Sequence, residues 1–217
     1  MNFFNVTSSS VTLLRFKGIP INLHLSFIIL SLLAAGYCLA VFGVKSTYSI
    51  LIIFTMLFAS TLLHELGHAL MASRLGFSTK NITLYPFGGI ALVSLNRDDH
   101  NADMLVSSAG PGANLIASII ATPVMIIGSE HAKMFILINM IMCVFNLIPA
   151  LPLDGGRVLR AMLSKCIGFS KSNKIMMKIS YVISCLFILF GLLFNLIGLT
   201  AAGAIMFFAL KKTSFKI

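Results

Sequence analysis

The chain has 217 residues, of which 58% are hydrophobic and only 10% charged, where a soluble domain carries about a quarter charged. Apolar runs of about 18 residues or more recur along it, each long enough to cross a bilayer core. Composition therefore excludes the soluble classes and leaves an all-α polytopic membrane protein.

The opening stretch MNFFNVTSSSVTLLRFKGIP lacks the basic-then-apolar layout and cleavage site of a secretory signal, so a first span, expected at 21–43, is retained. A second span is expected at 48–73, after a short loop around GVKS. Segment 77–102 is different, being rich in β-formers and glycine. Within it ITLYPFGGIALVSL (82–95) predicts a short hairpin at the membrane face, with Pro86 and the Gly88–Gly89 pair breaking the strand. The third span is expected at 103–128 and the fourth at 133–151, ending in NLIPALPLDGG and a basic loop. The 32 residues from Ile179 to Leu210 are too many for one upright helix and few for two full spans. Asn195 and Gly198 supply a hairpin break there, and two short spans are expected. The result is about six transmembrane helices in one domain, 1–217, with a short membrane-associated β segment between the second and third.

The net charge of +10 invites a nucleic-acid partner, and the placement of the cations excludes one. With a cytoplasmic N-terminus and six spans, Arg15, Lys17, Arg74, Lys80, Arg97, Arg157, Arg160, Lys165, Lys171, Lys174, Lys178, Lys211, Lys212 and Lys216 all fall on the cytoplasmic side. Only Lys45 and Lys133 fall outside, which is the positive-inside asymmetry of a membrane protein. Both termini are then cytoplasmic, and the sequons at Asn5 and Asn81 are chance matches on that side. The cysteines Cys38, Cys143, Cys166 and Cys185 lack CxxC spacing and read as reduced packing residues.

Of the six acidic residues, Asp98, Asp99, Asp103 and Glu130 fall at junctions or in loops and read as solvated. Glu65 and Asp154 remain, one inside a span and one at the end of another. A carboxylate at membrane depth is costly unless it meets a partner or water, so each is a functional candidate. Glu65 lies in LLHELGHAL (62–70). On a helix His64 and His68 are four residues apart, hence about 40° apart in azimuth and one turn apart in height. Both imidazoles can reach one zinc ion, with Glu65 placed to exchange a proton with a polarised water. This is the HExxH pattern.

A hydrolytic zinc needs a third protein ligand and an open position. Asp154 is the candidate, at the cytoplasmic end of the fourth span and at a depth comparable to His64 and His68. The site would then lie inside the bilayer near its cytoplasmic face. Pro149 and Pro152 stop the helix, and Gly155–Gly156 would let the backbone approach the metal helix. Capping of the helix begun by GGRVLRAML is the alternative role for Asp154, and the two are compatible. Asn114 and Asn146 are amides in apolar helices. Each either bridges helices or, near the zinc, holds the carbonyl oxygen that gains charge during attack. Gly110–Pro111–Gly112 reads as a packing or kink site, and His24 as a packing or gating residue rather than a fourth ligand. His100 and His131 carry no signal.

HELGH in one span together with NLIPALPLDGGRVL at the end of another resembles the site-2 protease family, zinc metalloproteases that cut substrates within the membrane. GIPINLHLSF (18–27), LYPFGGIALV (84–93) and AGPGANL (109–115) resemble further family segments. The likeness spans most of residues 15–165, while the C-terminal spans, about 175–210, are generic. It implies one zinc per chain on His64, His68 and Asp154, with Glu65 as base. Asn146, and more weakly Asn114, Gly88 and Gly89, are implied as substrate or oxyanion support. It also implies a transmembrane protein substrate in the cell membrane of a prokaryote; an edge strand at 82–95 could take up that substrate, once unwound, by strand addition. The chain departs from larger members in having no PDZ-like insert or CBS-type domain, which leaves a regulatory partner unidentified. The rival reading is a zinc transporter or sensor whose His/Asp cluster binds metal without hydrolysis.

Overall fold

The computed structural model of the protein describes residues 10–86, 88–96 and 99–214. Asn5, Phe87, Arg97, Asp98 and Lys216 lie outside the described residues, as does the Lys212 side chain. The chain divides into two compact units, one reaching to Leu95 and including Gly112–Cys143, the other made of Asn96–Pro111 and the residues from Val144 onward.

The first unit opens on two strands where the sequence pointed to none, β1 (Ser10–Phe16) and β2 (Ile19–His24). They pair antiparallel, turning through Lys17 and Gly18 at φ 48° and 82°. Positive φ at both central residues is the two-residue turn whose twist matches a hairpin. GIPINLH is apolar enough to pass for the start of a membrane helix, but Pro20 and Ile21 suit an extended chain. The first helix accordingly starts at Leu25 rather than 21. His24 caps it, its Nδ1 accepting the Ser26 N–H at 3.2 Å.

Helix α1 (Leu25–Arg74) has 50 residues and would run about 75 Å if straight, more than twice a bilayer core of about 30 Å. It is not straight. Gly43 breaks it at φ 74°, ψ 177°, a conformation that only glycine adopts without strain. The Phe27 ring then lies 5.6 Å from Phe54 and 5.0 Å from Phe58. Rings so distant in sequence meet only if the two halves fold back beside each other. The two spans expected on either side of GVKS are these halves.

Beyond α1 come β3 (Thr79–Tyr85) and β4 (Gly88–Val93), the expected hairpin. β2 pairs parallel with β3, Ile21 opposite Ile82, giving a four-stranded sheet in the order β1-β2-β3-β4. Alternate residues Ile19, Ile21, Ile82 and Leu84 are buried with Ala69, and Phe58, Leu62 and Leu66 complete the contact. The sheet therefore packs on one helical stripe of α1, at spacings of four, four and three residues. Burial pushes the Tyr85 phenol above its ordinary pKa. Helices α2 (His100–Ile126) and α3 (Glu130–Asn146) follow, the Asp99 carboxylate capping α2 by accepting the Ala102 N–H at 2.9 Å. At α3 Glu130 is exposed, as expected, and pairs with Lys133.

In the second unit the stretch read as a basic loop is a helix, α4 (Asp154–Ile167). It is followed by α5 (Phe169–Leu193) and α6 (Ile197–Ser214). The break expected at Asn195 is real, with Asn195 at φ 55° between α5 and α6, but α5 starts ten residues before Ile179. Gly191 lies against Thr200, and Gly203 against Phe187, so the two helices close on small residues as membrane helices do. Asp103 is not solvated as expected. It accepts from Arg157 at 2.9 Å and Arg160 at 3.1 Å, and Arg160 also stacks 5.3 Å over the Phe169 ring. Gly155 and Gly156 need their missing side chains for a different neighbour than expected. The nearest atoms are the backbone of Leu147 and Ile148 and of Ala150 and Leu151, the loop that leads into α4. Among the described residues α1, α2 and α5 are long and apolar enough to cross a membrane.

Candidate metal centre

The second half of α1 carries the HELGH residues on the faces its 3.6-residue period dictates. Ser60, His64 and His68, each four residues after the last, are all buried, while Phe58, Leu62, Leu66 and Ala69 hold the sheet. The two imidazoles meet edge to face, and their Nε2 atoms stand 3.2 Å apart. Two nitrogens bound to one tetrahedral zinc at about 2.0–2.1 Å each are about 3.3–3.4 Å from one another. The spacing of the histidine pair is thus close to what one ion requires.

Glu65 points elsewhere, toward the sheet. Its Oε2 accepts the backbone N–H of Ala91 at 2.9 Å. A Cβ built on Gly89 would collide with the Glu65 side chain, so this strand approaches the glutamate as only bare backbone can. Gly88 sits one residue earlier, at φ 142° beside the hairpin turn. Neither glycine offers a side chain to a ligand, and Gly89 acts by leaving room.

Asn114, on α2, is fully buried, and its Oδ1 lies 2.6 Å from His64 Nδ1. Its Nδ2 donates to Asn139 Oδ1 at 2.8 Å and to the Ser60 carbonyl at 3.1 Å. Asn139 and Ser60 were not singled out from the sequence. The signal for Asn139 was available, since it is an amide in the apolar run FILINMIMC on α3, as Asn114 is on α2. Ser60 gave none, because a serine in a helix commonly bonds its own backbone.

Asp154, in the second unit, is buried as the first residue of α4. The helix boundary falls at Leu153, whose side chain makes no capping bond, one residue before Asp154. Its carboxylate stands in the first turn, where the helix dipole favours negative charge, with Arg157 Nη1 at 3.8 Å. Asn146 is the last residue of α3 and half-buried. Asp154 and, in the first unit, His64 and His68 are all buried, and each offers a side-chain atom of a kind that binds zinc.

Comparison with known proteins bears on this set. A family model described as peptidase family M50 matches residues 49–132 and 126–190, which takes in every residue of the centre. The chain belongs to peptidase family M50. A zinc metalloprotease of Methanocaldococcus jannaschii is 35% identical over 211 residues, 94% of this chain and 60% of the relative's length. Stage IV sporulation protein FB of Bacillus subtilis is 32% identical over 127 residues, 55% of this chain and 43% of that protein. Among solved structures, the site-2 protease from Methanocaldococcus jannaschii matches with a TM-score of 0.72 at 33% identity, covering 94% of both chains. The resemblance carried by HELGH and NLIPALPLDGGRVL is thus borne out across the chain. This M50 chain is mostly helical with a small sheet, has helices fit to cross a membrane, and carries a buried histidine pair spaced to suit zinc.

Proposed function

We propose that the chain is an intramembrane zinc metalloprotease, a single domain that hydrolyses a peptide bond in or near a transmembrane segment of a membrane-protein substrate. The observation that carries this reading is the histidine pair, with Nε2 atoms 3.2 Å apart, flanking a buried glutamate in a family of peptidases. His64, His68 and Asp154 would hold one zinc ion per chain, leaving a coordination position open. Bound there, zinc supplies Lewis-acid polarisation of a water and of the substrate carbonyl.

The remaining work falls to this chain's side chains and backbone. Glu65 takes the proton released as water attacks the carbonyl carbon and delivers it to the departing amine nitrogen. Asn146 donates its amide N–H to the carbonyl oxygen as charge gathers there. The substrate segment unwinds and adds as a strand to the hairpin at 82–95, whose outer strand is β4, so that recognition rests on backbone bonds and tolerates varied sequence. The chain crosses the cell membrane of a prokaryote about six times, with both termini cytoplasmic and the site near that face. The positive-inside placement of the cations supports this topology. A regulatory partner would gate it.

The deciding experiment compares purified wild type with Glu65→Gln. Retained zinc with cleavage of a membrane-protein substrate lost by about 1000-fold or more is the expected result. Unchanged function after the swap would refute the protease and favour a zinc transporter or sensor, in which Glu65 has no task.

A further inference from the structure

We propose that Asn139, working through Asn114, is a positioning residue that holds His64 in the tautomer able to bind metal through Nε2. The inference rests on the metalloprotease reading for its purpose, but its argument is one of hydrogen-bond accounting.

Two backbone carbonyls set the direction of the chain. Asn139 Nδ2 lies 2.9 Å from the Phe135 carbonyl oxygen and 2.9 Å from Ser60 Oγ. A carbonyl only accepts, so the nitrogen of the Asn139 amide must face it, and the oxygen is left facing Asn114. Asn114 is fixed in the same way. Its nitrogen faces the Ser60 carbonyl at 3.1 Å and Asn139 Oδ1 at 2.8 Å, both acceptors. Rotating either amide by half a turn would set oxygen against oxygen in a buried site, where nothing offsets the repulsion. Ser60 is settled too, since its hydroxyl donates to the Met56 carbonyl at 2.8 Å and accepts from Asn139.

With both Asn114 hydrogens committed, only its oxygen can face His64 Nδ1, 2.6 Å away. His64 Nδ1 must therefore carry the hydrogen. A neutral imidazole has one N–H, so Nε2 presents a bare lone pair, on the side where His68 Nε2 stands. Ligand histidines in general have their second nitrogen fixed in this manner. Here the fixing agent is a neutral amide relay of two asparagines and a serine on three helices. A neutral relay orients the ring without adding charge at membrane depth.

The test reads the tautomer directly. In metal-free wild type labelled with 15N-histidine, the His64 resonances, assigned by their loss in His64→Gln, are expected to show Nδ1–H and bare Nε2. Asn139→Leu removes one of the two acceptors that hold the Asn114 nitrogen, leaving only the Ser60 carbonyl. It is expected to give a mixture of His64 tautomers and to weaken zinc binding, measured against a competing chelator, by about 10–100-fold. Ser118→Ala is the control, since it removes a buried bond to the Asn114 backbone at 3.0 Å outside the relay, and it should leave tautomer and zinc affinity unchanged. The proposal is overturned if wild-type His64 carries its hydrogen on Nε2, or if Asn139→Leu destabilises the protein while zinc affinity stays within about twofold of wild type. Should Asn139→Leu not fold, the wild-type spectrum decides alone. Zinc bound and cleavage dependent on Glu65, with the opposite tautomer, would sink the relay and keep the protease. The assigned tautomer in a protein that binds no zinc would do the reverse.

Discussion

Glu65 has little freedom to move without disturbing the backbone of β4. Its carboxylate is tied to the Ala91 N–H and its methylenes fill the space that a side chain at residue 89 would need. Gly89→Ala should therefore displace Glu65 and strain the strand it lies against. Cleavage is expected to fall by about 10–100-fold, the scale of a misplacement near 1 Å, while zinc content measured on the purified protein stays at the wild-type level. At this scale HELGH was legible because its spacing is local and its chemistry is carried by residue types. Asn139 was not, because its role depends on which acceptors surround its amide, and those come from α1 and from its own helix. Gly89 was legible as a turn former and a support candidate but not as the glycine that makes room for Glu65, since nothing in the sequence says that Glu65 would lie against it.

The elements of the sheet separate what local pattern can and cannot reveal. The β3–β4 hairpin announced itself through alternation around Pro86 and two glycines. β1 and β2 did not, because a short strand of apolar residues leading into a membrane helix has the composition of that helix. What makes β2 a strand is its partner β3, reached only after all of α1. The sheet's use can be probed at Ala91. Its N–H reaches Glu65 rather than β3, so Ala91→Pro keeps the ladder while removing the bond that ties the glutamate to the sheet. Loss of cleavage with an intact fold by circular dichroism is expected, and unimpaired cleavage would show that the sheet does not position Glu65. Helix α4 depends on a partner that its basic composition concealed. Asp103→Ala leaves Arg157 and Arg160 without their shared carboxylate. It should lower the unfolding temperature in detergent by about 3–10 °C, from the usual worth of bonds to charged groups.

For the whole molecule, hydropathy and charge placement located most of the helices, and Gly43 and Asn195 divided the two long apolar stretches near the expected points. The sidedness that the cations imply can be read by single cysteines in a cysteine-free background. An impermeant maleimide added outside intact cells is expected to label Lys45→Cys and Lys133→Cys, and to reach Lys171→Cys only after lysis. The reverse pattern would invert the topology. The crowding around the second half of α1 has its own consequence. Between residues 58 and 70 only Leu63 is exposed, because the sheet, the relay, the base and the metal-binding edge each occupy a side of that helix. Any slide or roll would break the sheet contact and the bonds of His64 and Glu65 together. This half-helix is therefore the fixed frame of the first unit. Its amides should be the last to exchange with solvent.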